Sequence, residues 1–345
     1  MFKLSPNVRI LLVRTDNIGD VILTLPALAS LRRKYPKAFI AYLCRWYTAP
    51  LLQGNAGVNE VLKIDEGFPF GILAKIKELK FDISIHFYVE PQSVILAAMG
   101  GVQWRVGPFS KTWSYFLTEK IKQDRSKVEK HEAEYNLDLA KECGGDGLTF
   151  PPALFLSSIE KREGAQILAR TCGGPGAQPV LIHPGSHGSV ETWPMESFLQ
   201  LAVKTADRGH QVVFTAGKDE GEVVSQVQKL GHKGVHAIPA GSLGLRQLMA
   251  IISNSRMMIC NSTGPLHIAS ALSIPTISFF PRVPLVTSAK RWGPFANFKL
   301  NHILSPPRDS APLSSITPDL ALEWVINVLQ SKQGVDEPGP EPTIG

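Results

Sequence analysis

Four short segments of this 345-residue chain combine glycine, hydroxyl, carboxylate and imidazole groups in ways that suit a polar ligand. Arg14-Thr15-Asp16-Asn17-Ile18-Gly19-Asp20 places two carboxylates around a glycine that permits close backbone approach. Asp20 could accept a proton from an attacking hydroxyl, as a general base does. The same local sequence equally allows Asp16 or Asp20 to cap the helix that follows. His183-Pro184-Gly185-Ser186-His187-Gly188-Ser189 precedes Trp193-Pro194. Its small residues, Gly185 and Ser186 among them, can expose N–H groups to an anion, or form an ordinary loop. Thr215-Ala216-Gly217-Lys218-Asp219-Glu220 offers Lys218 as a cation and Glu220 as an acceptor for ribose hydroxyls, or only helix-terminal charge. Asn261-Ser262-Thr263-Gly264-Pro265-Leu266-His267 gathers Ser262, Thr263 and Gly264 at a helix start suited to a diphosphate or a sugar. His267 reads equally well as a ligand group or as a core histidine bonded to a carbonyl. No third ligand stands at a convincing spacing from His183 and His187, so no metal site is expected. The glycine fingerprint of dinucleotide-binding enzymes, the P-loop, HExxH and GxSxG are all missing, which disfavours a nicotinamide oxidoreductase.

The elements that must position these segments alternate between strand and helix. Val8–Val13 is a short apolar run of the kind buried on both faces in a parallel sheet. Val21, Ile22, Leu25, Leu28 and Leu31 then recur at helical spacing up to Arg32-Arg33-Lys34 and the stop at Tyr35-Pro36. Strands are expected at 39–44, 61–64 and 82–87, with helices at 72–79 and 131–143. Pro151-Pro152 marks a boundary. Beyond it, strands at 180–183, 211–215, 235–238, 257–260 and 276–280 alternate with helices at 197–208, 222–230, 245–253 and 266–272, before a last helix at 317–329. This order predicts an α/β protein with two doubly wound domains, each binding ligand beyond the carboxyl ends of its strands. The expected division is 1–152, 153–313, a closing helix within 314–330, and a polar, Pro- and Gly-rich tail at 331–345 expected to be disordered.

Composition narrows the class. Hydrophobic residues make up 44% of the chain and charged residues 19%, enough apolar material for large cores and too much for a disordered protein. The net charge of +6 is spread over both halves, which excludes a nucleic-acid-binding arm and suits an anionic substrate. Four cysteines form no CxxC pair and no export signal opens the chain, so a reducing cytosol is expected. The uncharged stretch 257–281 is broken by Asn261–Pro265 and Pro275 and reads as strand, helix and strand rather than a membrane span. The segment 104–130 interleaves Arg105, Lys111, Lys120, Lys122 and Arg125 with Trp113, Tyr115 and Phe116. It is either a basic-aromatic contact surface or a solvated loop with buried rings.

Taken together, 10–28 (ILLVRTDNIGDVILTLPAL), His183-Pro184-Gly185-Ser186 with Trp193-Pro194, and Asn261–Ala269 resemble glycosyltransferase family 9, the ADP-heptose:lipopolysaccharide heptosyltransferases. Weaker echoes are Phe81-Asp82-Ile83, Arg105-Val106-Gly107, His131-Glu132 with Asn136, Trp292-Gly293-Pro294 and Ile316–Asp319. The likeness extends over nearly the whole chain. It implies a GT-B fold of two Rossmann-like domains, the first holding the acceptor and the second the nucleotide-sugar, with the closing helix packing back across the junction. It further implies an inverting transfer that uses neither metal nor cofactor, with Asp20 as base. On this reading Gly185, Ser186, Lys218, Glu220, Ser262, Thr263, Gly264 and His267 bind the donor. Arg105, Lys111, Lys120 and Arg125 hold a lipopolysaccharide core or other anionic glycolipid, at the cytoplasmic face of the inner membrane and in transient contact with it. Two positions depart from the family pattern: Glu191-Thr192 replaces a Lys before Trp-Pro, and Ser262 replaces an Asp. Either Glu191 turns away and Lys218, Arg282 or Lys290 substitutes, or the donor differs, or activity is reduced. A family-9-like enzyme with another nucleotide-sugar, or a non-catalytic sugar-binding module, are the alternatives.

Overall fold

The computed structural model describes residues 4–64, 69–109, 112–185, 190–295 and 299–330. Within them the chain forms two parallel six-stranded sheets. The first contains β1 (Arg9–Val13), β2 (Phe39–Arg45), β3 (Glu60–Ile64), β4 (Ile83–His86), β5 (Trp104–Pro108) and β6 (Glu119–Ile121). The second contains β7 (Val180–His183), β8 (Val212–Phe214), β9 (Val235–Ala237), β10 (Met257–Asn261), β11 (Thr276–Phe279) and β12 (Asn301–Leu304). The strand orders, β3-β2-β1-β4-β5-β6 and β9-β8-β7-β10-β11-β12, are the same pattern twice. In each, the order reverses beside the first strand, and that switch point is where an open sheet leaves a crevice.

Alternation along β1 sorts its side chains between two cores. Leu11 and Val13 join Leu43, Ile76 and Leu96 on the outer face, under the helices Phe70–Leu79 and Pro91–Met99. Ile10 and Leu12 face the other way, into an apolar cluster that also contains Leu181, Met258, Cys260, Leu266 and Ile268 of the second lobe. One continuous core therefore joins the lobes. Burial of this kind is worth about 25 cal/mol per Å² of apolar surface removed from water, so separating the lobes is costly. Helix Ser158–Cys172 crosses Leu245–Ser253 so closely that a Cβ on Gly164 would sit 2.5 Å from the Ala250 carbonyl.

The closing helix, Pro318–Gln330, corrects one expectation. Its buried face, Ala321, Leu322 and Val325, completes the core of the second sheet with Phe198, Ile277 and Phe279. Lys204 pairs with Asp319 at 2.5 Å, and Arg256 donates to the Leu329 carbonyl at 3.2 Å. The helix thus packs onto its own lobe rather than back across the junction, because that is where its apolar stripe finds a partner. Residues 331–345, expected to be a tail, lie outside the described residues. No helix among the described residues is long and apolar enough to cross a membrane.

Candidate active site

The loop after β1 delivers a charged residue straight from the sheet core. Arg14 is 2% exposed, and its guanidinium is the hub of three carboxylates. Nε donates to Asp16 at 2.6 Å, Nη2 to Asp20, and Nη1 to Glu132 at 3.2 Å. The position a cation would occupy among these acids is filled by the guanidinium itself. Burial pushes the Arg14 pKa down, but the three acids outweigh it and leave the side chain firmly charged.

Asp20 sits in the first turn of the helix Ile18–Ile22, whose N-cap, Asn17, makes no side-chain cap bond. Neither Asp16 nor Asp20 therefore caps this helix; both face Arg14. The Asp20 side chain remains 13% exposed, so its carboxylate is held but not sealed. Asp16 is the least compensated of the three acids. Burial raises its pKa, Arg14 lowers it, Asp20 raises it again, and the outcome is about 6. One guanidinium cannot neutralise three acids equally. Arg45 braces the loop by donating to the Thr15 carbonyl at 2.7 Å, and the Tyr47 hydroxyl donates to the Asp16 carbonyl at 3.0 Å.

Glu132, 1% exposed, opens the helix Glu132–Glu142 and gathers two more cations. Arg125 reaches it at 2.5 Å, and Arg291, from the second lobe, at 3.2 Å. Burial pushes the Glu132 pKa up, yet Arg125, Arg14 and Arg291 together bring it below the usual carboxylate range. Three arginines thus meet three carboxylates in one cluster, and one of the arginines crosses the lobe junction. The roles of Arg14, Glu132 and Arg291 are not visible in the sequence. The one hint is that Arg14 directly follows an apolar strand.

Opposite this cluster, two helix starts meet. A Cβ on Gly264 would come within 2.9 Å of Ile18, and one on Gly19 within 2.6 Å of the His267 ring. Only glycines allow that approach. His267 is 5% exposed, and burial, helped by nearby His131, holds its pKa down at about 3. The imidazole is therefore neutral and packs closely against Gly19 at the lobe junction. His131 adds a second link, its Nε2 lying 2.9 Å from the Gly293 carbonyl and its ring stacked on Phe295. Ser262 and Thr263, partly exposed, stand at the start of the helix Gly264–Ala271, beyond the carboxyl end of β10.

The other donor candidates are placed unevenly. Gly185 lies so close to Glu220 that a Cβ would sit 1.9 Å from its carboxylate. One Glu220 oxygen already accepts the Gly217 N–H at 2.6 Å. The stem of Lys218 packs under Gly241. Ser186 lies outside the described residues. Asn261 ties this rim together, accepting from the Trp193 N–H at 2.9 Å and donating to the Pro184 carbonyl at 2.8 Å. Glu191 turns away from it: its carboxylate accepts the Leu313 N–H at 2.6 Å, capping the turn Leu313–Ser315.

Of the three described residues expected at an acceptor, Arg105, Lys120 and Arg125, the last alone joins the Asp20 cluster. Arg105 is consumed by its own lobe, donating to the carbonyls of Phe116 at 2.8 Å and Val102 at 2.7 Å, and so pins a loop instead of offering a free cation. Lys120 stands over the Tyr115 ring at 5.7 Å, on the edge strand β6. Lys111 lies outside the described residues. Phe109, Trp113, Tyr115 and Phe116 are exposed.

Comparison with known proteins identifies the family and the fold. Residues 72–315 match the model of glycosyltransferase family 9 (heptosyltransferase). The chain is 24% identical over 301 residues to lipopolysaccharide heptosyltransferase 3 of Escherichia coli, covering 81% of this chain and 84% of that protein. Its fold is similar to that of a family 9 glycosyl transferase from Veillonella parvula (TM-score 0.81, 19% identity, 95% and 98% of the two chains covered). It is also similar to the ADP-heptose lipopolysaccharide heptosyltransferase II of E. coli (TM-score 0.78, 20% identity, 93% and 98% covered). The two-lobed arrangement is the GT-B fold.

Proposed function

The chain belongs to glycosyltransferase family 9 and is a glycosyltransferase; from that premise we propose that it transfers a heptose from ADP-heptose to the inner core of lipopolysaccharide. The transfer inverts the anomeric carbon, needs no metal ion, and uses Asp20 as general base. The observation that carries this reading is the Asp20 carboxylate, still partly open to solvent and fixed by Arg14 at the switch point of the first sheet. The acceptor oxygen attacks the anomeric carbon from one face and gives its proton to Asp20. The carbon–oxygen bond to the diphosphate breaks on the opposite face, and its electron pair leaves with ADP. The N–H groups that open Gly264–Ala271, with Ser262 and Thr263 beside them, meet the charge growing on that leaving group.

The direction of the Glu191 carboxylate is set by the Leu313 N–H that it accepts, which supports a diphosphate bound elsewhere on the rim. The exposed rings at Phe109, Trp113, Tyr115 and Phe116, with Lys120, support an anionic glycolipid acceptor met at a membrane surface. Ser262 carries no charge, so the nucleotide-sugar is the part of the reading to test first. A thermal-shift panel of ADP-, UDP-, GDP- and dTDP-sugars, followed by transfer assays with the best binder, should single out ADP-heptose. Stabilisation by a different nucleotide-sugar, with turnover, would replace the donor. Binding without turnover on any acceptor would make the chain a sugar-binding module.

A further inference from the structure

Arg291, Glu132, Arg14 and Asp20 form an unbroken line of charge-assisted contacts running from the second lobe to the proposed base. Arg291 donates to Glu132 Oε2 through Nε at 3.3 Å and Nη2 at 3.2 Å. The other oxygen, Oε1, accepts from Arg14 at 3.2 Å and from Arg125 at 2.5 Å. Arg14 then reaches Asp20 through its remaining nitrogen. Glu132 is buried, and a buried carboxylate stays ionised only while its cations stay in place. Two of its three cations, Arg14 and Arg125, come from its own lobe, but Arg291 comes from the turn Ala289–Trp292 of the other. Gly293, which caps the end of that turn, lends its carbonyl to His131, the residue next to Glu132.

We propose that Glu132 and Arg291 are positioning residues that couple engagement of the two lobes to the hold of Arg14 on Asp20. With Arg291 seated, Glu132 is neutralised from the far lobe and makes less demand on Arg14, which is left to hold Asp20. With Arg291 withdrawn, Glu132 competes for Arg14 and weakens its hold on Asp20. The base would then be ready only when the lobe proposed to carry the donor is in place. The inference rests on the reading of Asp20 as base. The groups that face this line are Asp16 beside Arg14, Arg125 and His131 around Glu132, Glu90 and Arg45 behind Thr15, and His267 against Gly19.

The test is the acidic limb of the kcat/KM–pH profile, measured on the full chain with Arg291→Met, Arg291→Lys, Glu132→Gln and the Glu132→Gln/Arg291→Met pair. Removing the Arg291 charge should move the limb up by roughly half a unit or more, which lowers kcat/KM about threefold on the limb and leaves the plateau at higher pH in place. Glu132→Gln should move it the opposite way, since Arg14 then serves one acid fewer. Arg291→Lys should keep it near the wild-type position, and the pair should lie between the two single variants. A purely structural role would lower the melting temperature while leaving every limb in place, and that result would overturn the proposal. Asp20→Asn, run in parallel, separates the two claims. If that variant keeps wild-type turnover, the base assignment fails; if it loses turnover while the limbs above do not move, only the coupling fails.

Discussion

Replacing Gly19 with alanine tests whether the packed junction positions the reacting carboxylate. The added Cβ would lie 2.6 Å from Cδ2, 3.1 Å from Nε2 and 3.4 Å from Cγ of His267. Ordinary contact begins near 3.4 Å, so the ring or the helix must retreat by the 0.8 Å between 2.6 and 3.4 Å. His267 has little room to give, being 5% exposed in the close-packed junction. The strain should cost about 1–3 kcal/mol, as overpacking in a filled core does. The residue displaced with Gly19 is Asp20, and a misplacement approaching 1 Å at a reacting group costs up to ~10²-fold in rate. Gly19→Ala should therefore melt several degrees lower and transfer sugar roughly 10- to 100-fold more slowly. The second arm is the Gly19→Ala/His267→Ala pair, in which the ring that meets the new methyl is gone. That pair should recover stability relative to the sum of the single changes by about 1 kcal/mol or more. Melting curves and an ADP-release assay read both effects. Wild-type stability and rate in Gly19→Ala, or strict additivity in the pair, would refute the claim that this contact sets the geometry.

Two further predictions follow from charge. Asp16 has a folded pKa of about 6 against an ordinary 3.8, so its protonated form favours the native state. That contribution is whole below pH 4 and is lost as pH rises through 6, amounting to about 3 kcal/mol across the window. The stability difference between wild type and Asp16→Asn, from denaturant titrations, should therefore swing against wild type between pH 4 and 7; a difference that stays constant would contradict it. Glu191→Gln should cost on the order of 1 kcal/mol through the weakened cap at Leu313, and leave ADP affinity by calorimetry unchanged. A large change in ADP affinity would place residue 191 at the phosphates after all.

Strands were the most legible part of the fold, because runs such as Val8–Val13, apolar but for Arg9, and Met257–Cys260 are short, nearly continuous and bounded by polar loops, as buried parallel strands are. Helices were legible where polar and apolar residues alternate by turns, as in Met195–Ala206. Pro91–Met99 escapes such a reading because its PQSVILAAM sequence has almost no polar face. Ser158–Cys172 escapes it because only Gly164 and Leu168 are buried. The edge strand Asn301–Leu304 is short and half polar, so nothing in its pattern betrays pairing. At the site, Asp20 and the Asn261–His267 loop could be found because they follow strands and contain glycine. Arg14, Glu132 and Arg291 could not, since their meaning lies in a contact between segments 118 and 159 residues apart. His267 shows the same limit: as a type it suits a ligand, and only the fold reveals it as a wedge against Gly19.

Single-turnover transfer by Asp20→Asn, with ADP binding measured on the same sample, is the most direct examination of the chemistry. Losing the base should remove on the order of 10²–10⁴ of the rate while the nucleotide binds as before. Transfer at an undiminished rate would show that the proton leaves by another route.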